Sequence, residues 1–221
     1  MMNTIQLVLF DLDGTLADTA PDLAGAVNRM LSKRGRAPVP LETLRPLASH
    51  GARGLIGRAF GLSPTDAGYE ELRQEFFREY ESALCEASVL FPTMAETLAA
   101  FDADGVLWGI VTNKLARFTD PLVRALGLAT RAACVVSGDT TPHAKPHPAP
   151  LLHALQRAGR TRDESVYVGD DLRDVQAGQA AGLRTVAAAY GYLGESDPVE
   201  QWGADHIIHT PAELLRVIRQ E

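Results

Sequence analysis

The chain has 221 residues, 46% hydrophobic and 22% charged, which is enough to bury a substantial core and ordinary for a soluble globular protein. Its 21 basic and 28 acidic side chains give a formal net charge of −7, which excludes any general attraction to nucleic acid or to an anionic membrane surface. An anionic substrate therefore requires a local reversal of the field, by a metal ion or by a few placed Lys and Arg. Cys85 and Cys134 form neither a disulfide framework nor a metal-type pair. The start of the chain, Met1 to Gln6, lacks the basic residues and apolar run of a signal peptide, and no apolar run is long enough to cross a bilayer. A reduced, cytoplasmic protein is expected.

In chain order, the first β-rich run is Leu7-Val8-Leu9-Phe10. Apolar on both faces, it suits a parallel strand buried between helix layers. Thr19-Ala20-Pro21-Asp22 then reads as a helix start. From Ala17 to about Leu90 no convincing strand appears, only helical periodicity. Leu23, Ala26, Val27, Met30 and Leu31 form one stripe, and Tyr69, Leu72, Phe76, Tyr80 and Leu84 another. Beyond it, strand-like runs recur at Trp108–Val111, Cys134–Val136, Val166–Val168, Thr185–Ala188 and His206–Ile208, with helical segments at Met94–Asp104, Pro148–Ala158 and Leu172–Ala181. Gly105, Gly127, Gly159 and Gly182 sit where helices should stop. Trp108 reads as core. The alternation predicts a doubly wound α/β fold with a parallel sheet. The core is expected over 1–16 and 91–221, and an inserted all-helical cap domain over 17–90, above the edge where open α/β sheets bind ligands.

The chemistry-bearing residues fall after successive strands. The first strand ends in Asp11-Leu12-Asp13-Gly14-Thr15, two carboxylates that a cation or a proton must reconcile once buried. After the second comes Thr112-Asn113, after the third Lys145 between Ala144 and Pro146, and after the fourth Gly169-Asp170-Asp171, with Asp174 beyond. Singly, each has a bland reading: an acidic turn, a helix cap, a surface charge. Together they converge on one sheet edge. Ser49-His50-Gly51-Ala52-Arg53-Gly54 is glycine-rich but lacks the Lys-Ser/Thr of a nucleotide loop, and reads either as a helix–helix turn or as a cap loop aiming Arg53 and His50 at the distal part of a substrate. His143 and His147 have a zinc-like spacing, but the intervening prolines deny them a shared helix face.

These motifs resemble the haloacid dehalogenase superfamily, and within it the phosphatases with helical caps; the resemblance runs from Leu7 to the last helix. It implies a Rossmann-like core and hydrolysis of a small phosphorylated metabolite with Mg²⁺. Asp11 would be the nucleophile and Asp13 the general acid and base. Mg²⁺ would be held by Asp11, the Asp13 main-chain carbonyl and Asp170. Thr112, Asn113 and Lys145 would hold the phosphoryl oxygens. Asp171 and Asp174 would stand behind these groups, orienting the metal and Lys145. The segment Thr19-Ala20-Pro21-Asp22 would also be a cap hinge.

Substrate choice stays open between two subfamilies. Asp18-Thr19-Ala20-Pro21-Asp22-Leu23 and the overall length resemble bacterial phosphoglycolate phosphatases. Ser49–Arg53, Trp108–Lys114, Ser137–Thr140 and Ala187–Tyr192 are more similar to N-acetylmuramic acid 6-phosphate phosphatases, though several of these are core segments that carry ancestry more than pocket shape. A sugar-phosphate mutase uses the same aspartyl-phosphate chemistry. A phosphorylation-driven receiver also combines Asp, Thr and Lys, but has no use for an inserted cap.

Overall fold

The computed structural model describes residues 5–194 and 197–219. The reading of the N-terminus as lacking a signal segment falls on residues 1–4, outside the described residues, as do 195–196 and 220–221 of the expected core. The first half of the chain forms β1 (Leu7–Phe10), β2 (Ala17–Asp18), α1 (Ala20–Ser32), α2 (Leu41–Leu44), α3 (Gly51–Phe60), α4 (Tyr69–Ser82), β3 (Val89–Leu90) and α5 (Met94–Asp104). The second half forms β4 (Leu107–Val111), α6 (Ala116–Ala125), β5 (Val135–Val136), α7 (Ala149–Ala158), β6 (Ser165–Gly169), α8 (Leu172–Ala181), β7 (Arg184–Ala188), β8 (His206–Ile208) and α9 (Leu214–Arg219).

The main sheet has six strands in the order β5-β4-β1-β6-β7-β8, and every neighbouring pair is parallel. The period-two alternation of β1 explains its double burial. Val8 and Phe10 pack with Met94, Leu98 and Phe101 of α5, Leu122 of α6 and Leu214 of α9. Leu7 and Leu9 point the other way, into Leu151 and Leu155 of α7 and Ala177 of α8. The strand runs read as apolar on both faces thus have a helix layer on each face. Trp108 is core as expected: it is 1% exposed, and its indole N–H reaches Asp102.

Helices α1 to α4 pack around a second apolar cluster, which Phe118 and Tyr192 join from the sheet side. The expectation that Ala17 to Leu90 holds no strand needs correction. Ala17–Asp18 pairs antiparallel with Val89–Leu90, a two-residue ladder too short to leave a periodicity. It joins the chain entering the helical layer to the chain leaving it. Asp22 reinforces that junction: its buried carboxylate accepts from the Ala87 and Ser88 amides and from the Ser88 hydroxyl. Helix α7 starts at Ala149, with Pro148 as its N-cap, one residue later than expected. Helix α6 carries Pro121 in its interior, which masks the helical pattern in the sequence, although Gly127 marks its end.

Phe101 is fully buried and stacks on Phe10 at 6.4 Å, between α5 and the centre of the sheet. Phe101→Ala should lower the free energy of unfolding by about 3–5 kcal/mol. Urea titration checks this; a loss under about 1 kcal/mol would mean that the site collapses around the smaller side chain.

Candidate functional site

Strands β4, β1 and β6 lie side by side, so their carboxyl ends bring Thr112, Asp11 and Asp170 together. The ladder continues one residue past β1 and β4, with the Asp11 amide donating to the Val168 carbonyl and the Thr112 amide to the Val136 carbonyl, both at 2.9 Å. Lys145 arrives from the loop after β5. Asn113 fixes that loop with both ends of its carboxamide, donating to the Lys145 carbonyl and accepting from the Lys145 amide. The Asn113 side chain is thus a clamp on Lys145.

Asp11, Asp170 and Asp174 place carboxylate oxygens within 4.8 Å of one another, all in buried positions. Lys145 Nζ stands 2.9 Å from Asp11 Oδ1 and 2.7 Å from Asp174 Oδ1. It also donates to the Tyr167 hydroxyl and the Val111 carbonyl. Fully ionised, the three carboxylates would set an excess of two negative charges against one ammonium, away from water. Burial raises the Asp11 carboxyl to about 6; Lys145 opposes the rise, and the Asp174 and Asp13 charges add to it. Burial, then Asp11 and Asp174, push Asp170 well above the carboxylate range, against the Thr15 hydroxyl and Tyr192 amide that bond it. Lys145 keeps its proton: burial opposes the charge, but Asp11 and Asp174 outweigh it.

This donor set fits a hard divalent cation. Its oxygens are carboxylate, its excess charge matches, and Asp11 Oδ1 is buried without a hydrogen-bond donor among the described residues. Lys145 approaches that atom as an ion pair and not along a hydrogen-bonding direction. Asp174 is already committed: Oδ1 accepts from Lys145 and Tyr167, and Oδ2 from the Asp171 amide. Asp11, which reaches the cavity, keeps more capacity for a ligand. Asp170 itself is tightly enclosed. A Cβ on Gly14 would stand 2.2 Å from Asp170 Oδ2, and one on Gly191 would stand 2.2 Å from Asp170 Cβ. Thr15 Oγ1, Ser49 Oγ and the Tyr192 amide all donate to this carboxylate.

Asp13 faces elsewhere. Its Oδ1 accepts from Thr19 Oγ1 and from Lys114 Nζ, the latter at 2.8 Å. The Lys114 side chain is 7% exposed, and its Nζ lies 4.7 Å from the centre of the Tyr80 ring. Burial works against the Lys114 charge, and Asp13 and then Tyr80 more than restore it, so the ammonium is held above the usual lysine range. Asp171 caps α8, in a capping box with Asp174, and pairs with Arg173 at 2.7 Å. Burial raises the Asp171 carboxyl, and Arg173 more than offsets this, leaving it below its ordinary value. His50 Nε2 lies 3.7 Å from Asp171 Oδ2.

A cavity of 330 Å³ opens over this edge, roofed by the helical layer. Asp11, Asp13, Thr112, Asn113, Lys145, Asp171 and Asp174 all reach it, as do His50 and Arg53. The sequence-expected residues are thus gathered in one place, with Asp170 closed off beneath them. Asp171, expected behind the metal and Lys145, instead faces Arg173 and His50. His143 and His147 stack at 4.4 Å on the surface, with His147 Nδ1 accepting from the Ala149 amide. Tyr80, Tyr167 and Tyr192 join the site without a local signal in the sequence, whereas Lys114 directly follows Thr112-Asn113 at a strand end and Ser49 opens the glycine-rich segment.

The family model for haloacid dehalogenase-like hydrolases matches residues 8–188. An N-acetylmuramic acid 6-phosphate phosphatase of Pseudomonas putida is 42% identical, over 97% of this chain and 96% of its own. A phosphoglycolate phosphatase of Xylella fastidiosa is 44% identical, over 95% and 91%. Among solved structures, a predicted phosphoglycolate phosphatase from Haemophilus somnus superposes with a TM-score of 0.85 at 28% identity, covering 98% of this chain and 99% of that one.

The raised Asp11 carboxyl sets a sign for stability against pH. The folded state binds that proton more tightly than the unfolded chain, so its contribution is complete below 3.8 and is lost as pH rises to about 6. In EDTA, the melting temperature of the wild type should fall across this window relative to Asp11→Asn. Added divalent cation should raise it at neutral pH, and Asp170→Asn should abolish that rise. Thermal scans with and without the cation check all three.

Proposed function

The chain belongs to the haloacid dehalogenase-like hydrolases, and from that premise we propose that it hydrolyses a small phosphate monoester through a phosphorylated Asp11. The observation that carries this reading is the Asp11 carboxylate, buried at the end of β1, 2.9 Å from the Lys145 ammonium and clustered with the Asp170 and Asp174 carboxylates at the cavity.

In the first step an Asp11 oxygen bonds to phosphorus while the bond to the leaving alkoxide breaks, and Asp13 gives that alkoxide a proton. In the second, a water oxygen bonds to phosphorus, the Asp11–phosphorus bond breaks, and Asp13 takes the proton from the water. Lys145, Thr112 and the Asn113 main chain hold the equatorial oxygens, where charge spreads in the transition state. Mg²⁺ would be held by Asp11, the Asp13 main-chain carbonyl and Asp170, and would supply charge neutralisation at the phosphoryl group. Asp174 orients Lys145 through their 2.7 Å contact. Residues 17–90 act as the cap, and we place the enzyme in the cytoplasm.

For the substrate we propose a phosphorylated organic acid, 2-phosphoglycolate first. Arg53 and Arg73 face the same cavity and would meet a carboxylate at its far end. One feature favours N-acetylmuramic acid 6-phosphate as a second reading. Tyr69, Phe76, Phe77, Tyr80 and Phe118 line a space of 330 Å³, the size and apolar character that suit a ring better than a two-carbon acid.

Phosphate release from both esters in the presence of Mg²⁺ tests the proposal. Asp11→Asn should abolish turnover, and Asp13→Asn should slow it by roughly 10²–10⁴-fold. Wild-type rates in purified Asp11→Asn would sink the mechanism. The ratio of the two wild-type kcat/KM values decides the substrate.

A further inference from the structure

Lys114 has no part in the steps above, yet it is among the most confined charges near the cavity. Its side chain is 7% exposed, and its ammonium does not touch the Asp11, Asp170 and Asp174 cluster that occupies Lys145. It donates to Asp13 Oδ1 at 2.8 Å. On its other side lies the Tyr80 ring, 4.7 Å away, an attraction between cation and aromatic face. Tyr80 is itself immobilised, stacked on Phe76 at 6.2 Å and edge-on to Phe118 at 5.4 Å. Tyr80 and Phe76 belong to α4 of the helical layer, and Lys114 follows the sheet edge. The lysine therefore spans from one to the other.

Thr19 Oγ1 donates to the same atom, Asp13 Oδ1. Thr19 stands where the chain enters α1, and its amide donates to the Tyr192 hydroxyl at 2.7 Å. Two donors from fixed elements thus converge on Oδ1, and no hydrogen bond to Oδ2 is made among the described residues. A general acid must present its proton within hydrogen-bond reach of the leaving oxygen, so this orientation bears on the rate.

We propose that Lys114 is a positioning residue for Asp13, held in place by Tyr80, and that Asp13 Oδ2 is the oxygen that carries the proton. This rests on the phosphatase reading above. As the bond from phosphorus to the leaving oxygen breaks, its electron pair stays on that oxygen, and the proton moves to it from Oδ2. In the second half the same oxygen takes the proton of the attacking water. Lys114 acts in both halves through the carboxylate and makes no bond to phosphorus.

The test exploits leaving-group chemistry. The p-nitrophenolate ion departs without a proton, whereas an alkoxide needs one. The full-length enzyme with Mg²⁺ is assayed on p-nitrophenyl phosphate and on whichever of 2-phosphoglycolate and N-acetylmuramic acid 6-phosphate the wild type hydrolyses faster. Lys114→Met should lower kcat/KM, which reports the steps up to departure of the leaving group and not the shared hydrolysis of phospho-Asp11, by roughly 10²-fold on the alkyl ester and by less than about threefold on p-nitrophenyl phosphate. Retained turnover of the aryl ester also shows that the variant is folded. Tyr80→Leu, which leaves Lys114 in the chain, should shift the same ratio by roughly tenfold, and Tyr80→Phe, which keeps the ring, should not. Equal losses on the two esters in either Lys114→Met or Tyr80→Leu would overturn the proposal. So would a raised KM with unchanged kcat, which would make Lys114 a substrate-binding group. If the wild type releases no phosphate from any ester above the Asp11→Asn background, the phosphatase reading itself fails, a result distinct from an unchanged ratio.

Discussion

Three carboxylates and one lysine, buried together at the end of a parallel sheet, set the terms for the rest of this structure. Like charges in a medium of low polarisability repel strongly and lose their hydration, and one ammonium cannot neutralise three acids. The fold tolerates the arrangement because the surrounding groups are rigid and already aimed. Lys145 is held by the Asn113 clamp on its own main chain and by four oxygen contacts at its tip. Asp174 is fixed by Lys145, Tyr167 and the Asp171 amide. What is left over is negative charge on Asp11 and Asp170, the two carboxylates that β1 and β6 deliver side by side. A site strained in this way favours whatever brings positive charge, and disfavours the empty folded state as the carboxylates ionise.

Asp170 shows how far the constraint reaches. Its carboxylate accepts from Thr15 just past β1, from Ser49 in the helical layer, and from the Tyr192 amide after β7. Gly14 and Gly191 lack side chains where a Cβ would overlap it, so the backbone closes on it from two sides. Gly14 also has a φ of 87°, a conformation that suits glycine, which lets the turn after Asp13 fold back over the strand end. One carboxylate thus gathers three segments far apart in the chain.

Much of this was legible in the sequence because strand, turn and helix each leave a local signature. The runs apolar on both faces named the parallel strands, and the residues directly after them named Asp11, Thr112 and Asp170, with Lys145 in the longer loop after β5, since topology alone puts parallel strand ends on one edge. The two-residue ladder Ala17–Asp18 with Val89–Leu90 was not legible, as two residues define no period. The pairing of Lys114 with Asp13 joins residues 101 positions apart, and Ser49 reaches Asp170 across 121. Contacts of that kind are decided by how the helical layer settles on the sheet. Asp171 fell between the two cases. Its place as a helix N-cap could be read from spacing, whereas its partners Arg173 and His50 depend on where the side chains turn.

The junction between sheet and helical layer follows from the same logic. The helical stretch leaves and rejoins the sheet through β2 and β3, adjacent strands, so both connections lie at one point. There the Tyr192 hydroxyl accepts from the amides of Thr19 and Ala20, and the Thr19 hydroxyl goes to Asp13 in place of capping its own helix. A threonine at a helix start ordinarily satisfies the first free amides with its side chain. Here a tyrosine from beyond β7 takes over that task, which frees the Thr19 hydroxyl for the carboxylate. Because the Tyr192 main chain holds Asp170 while its side chain holds the entry to α1, one residue ties the carboxylate cluster to the root of the helical layer. The helical layer is thus registered on the charged cluster by hydrogen bonds at its root as well as by Ser49 at its face.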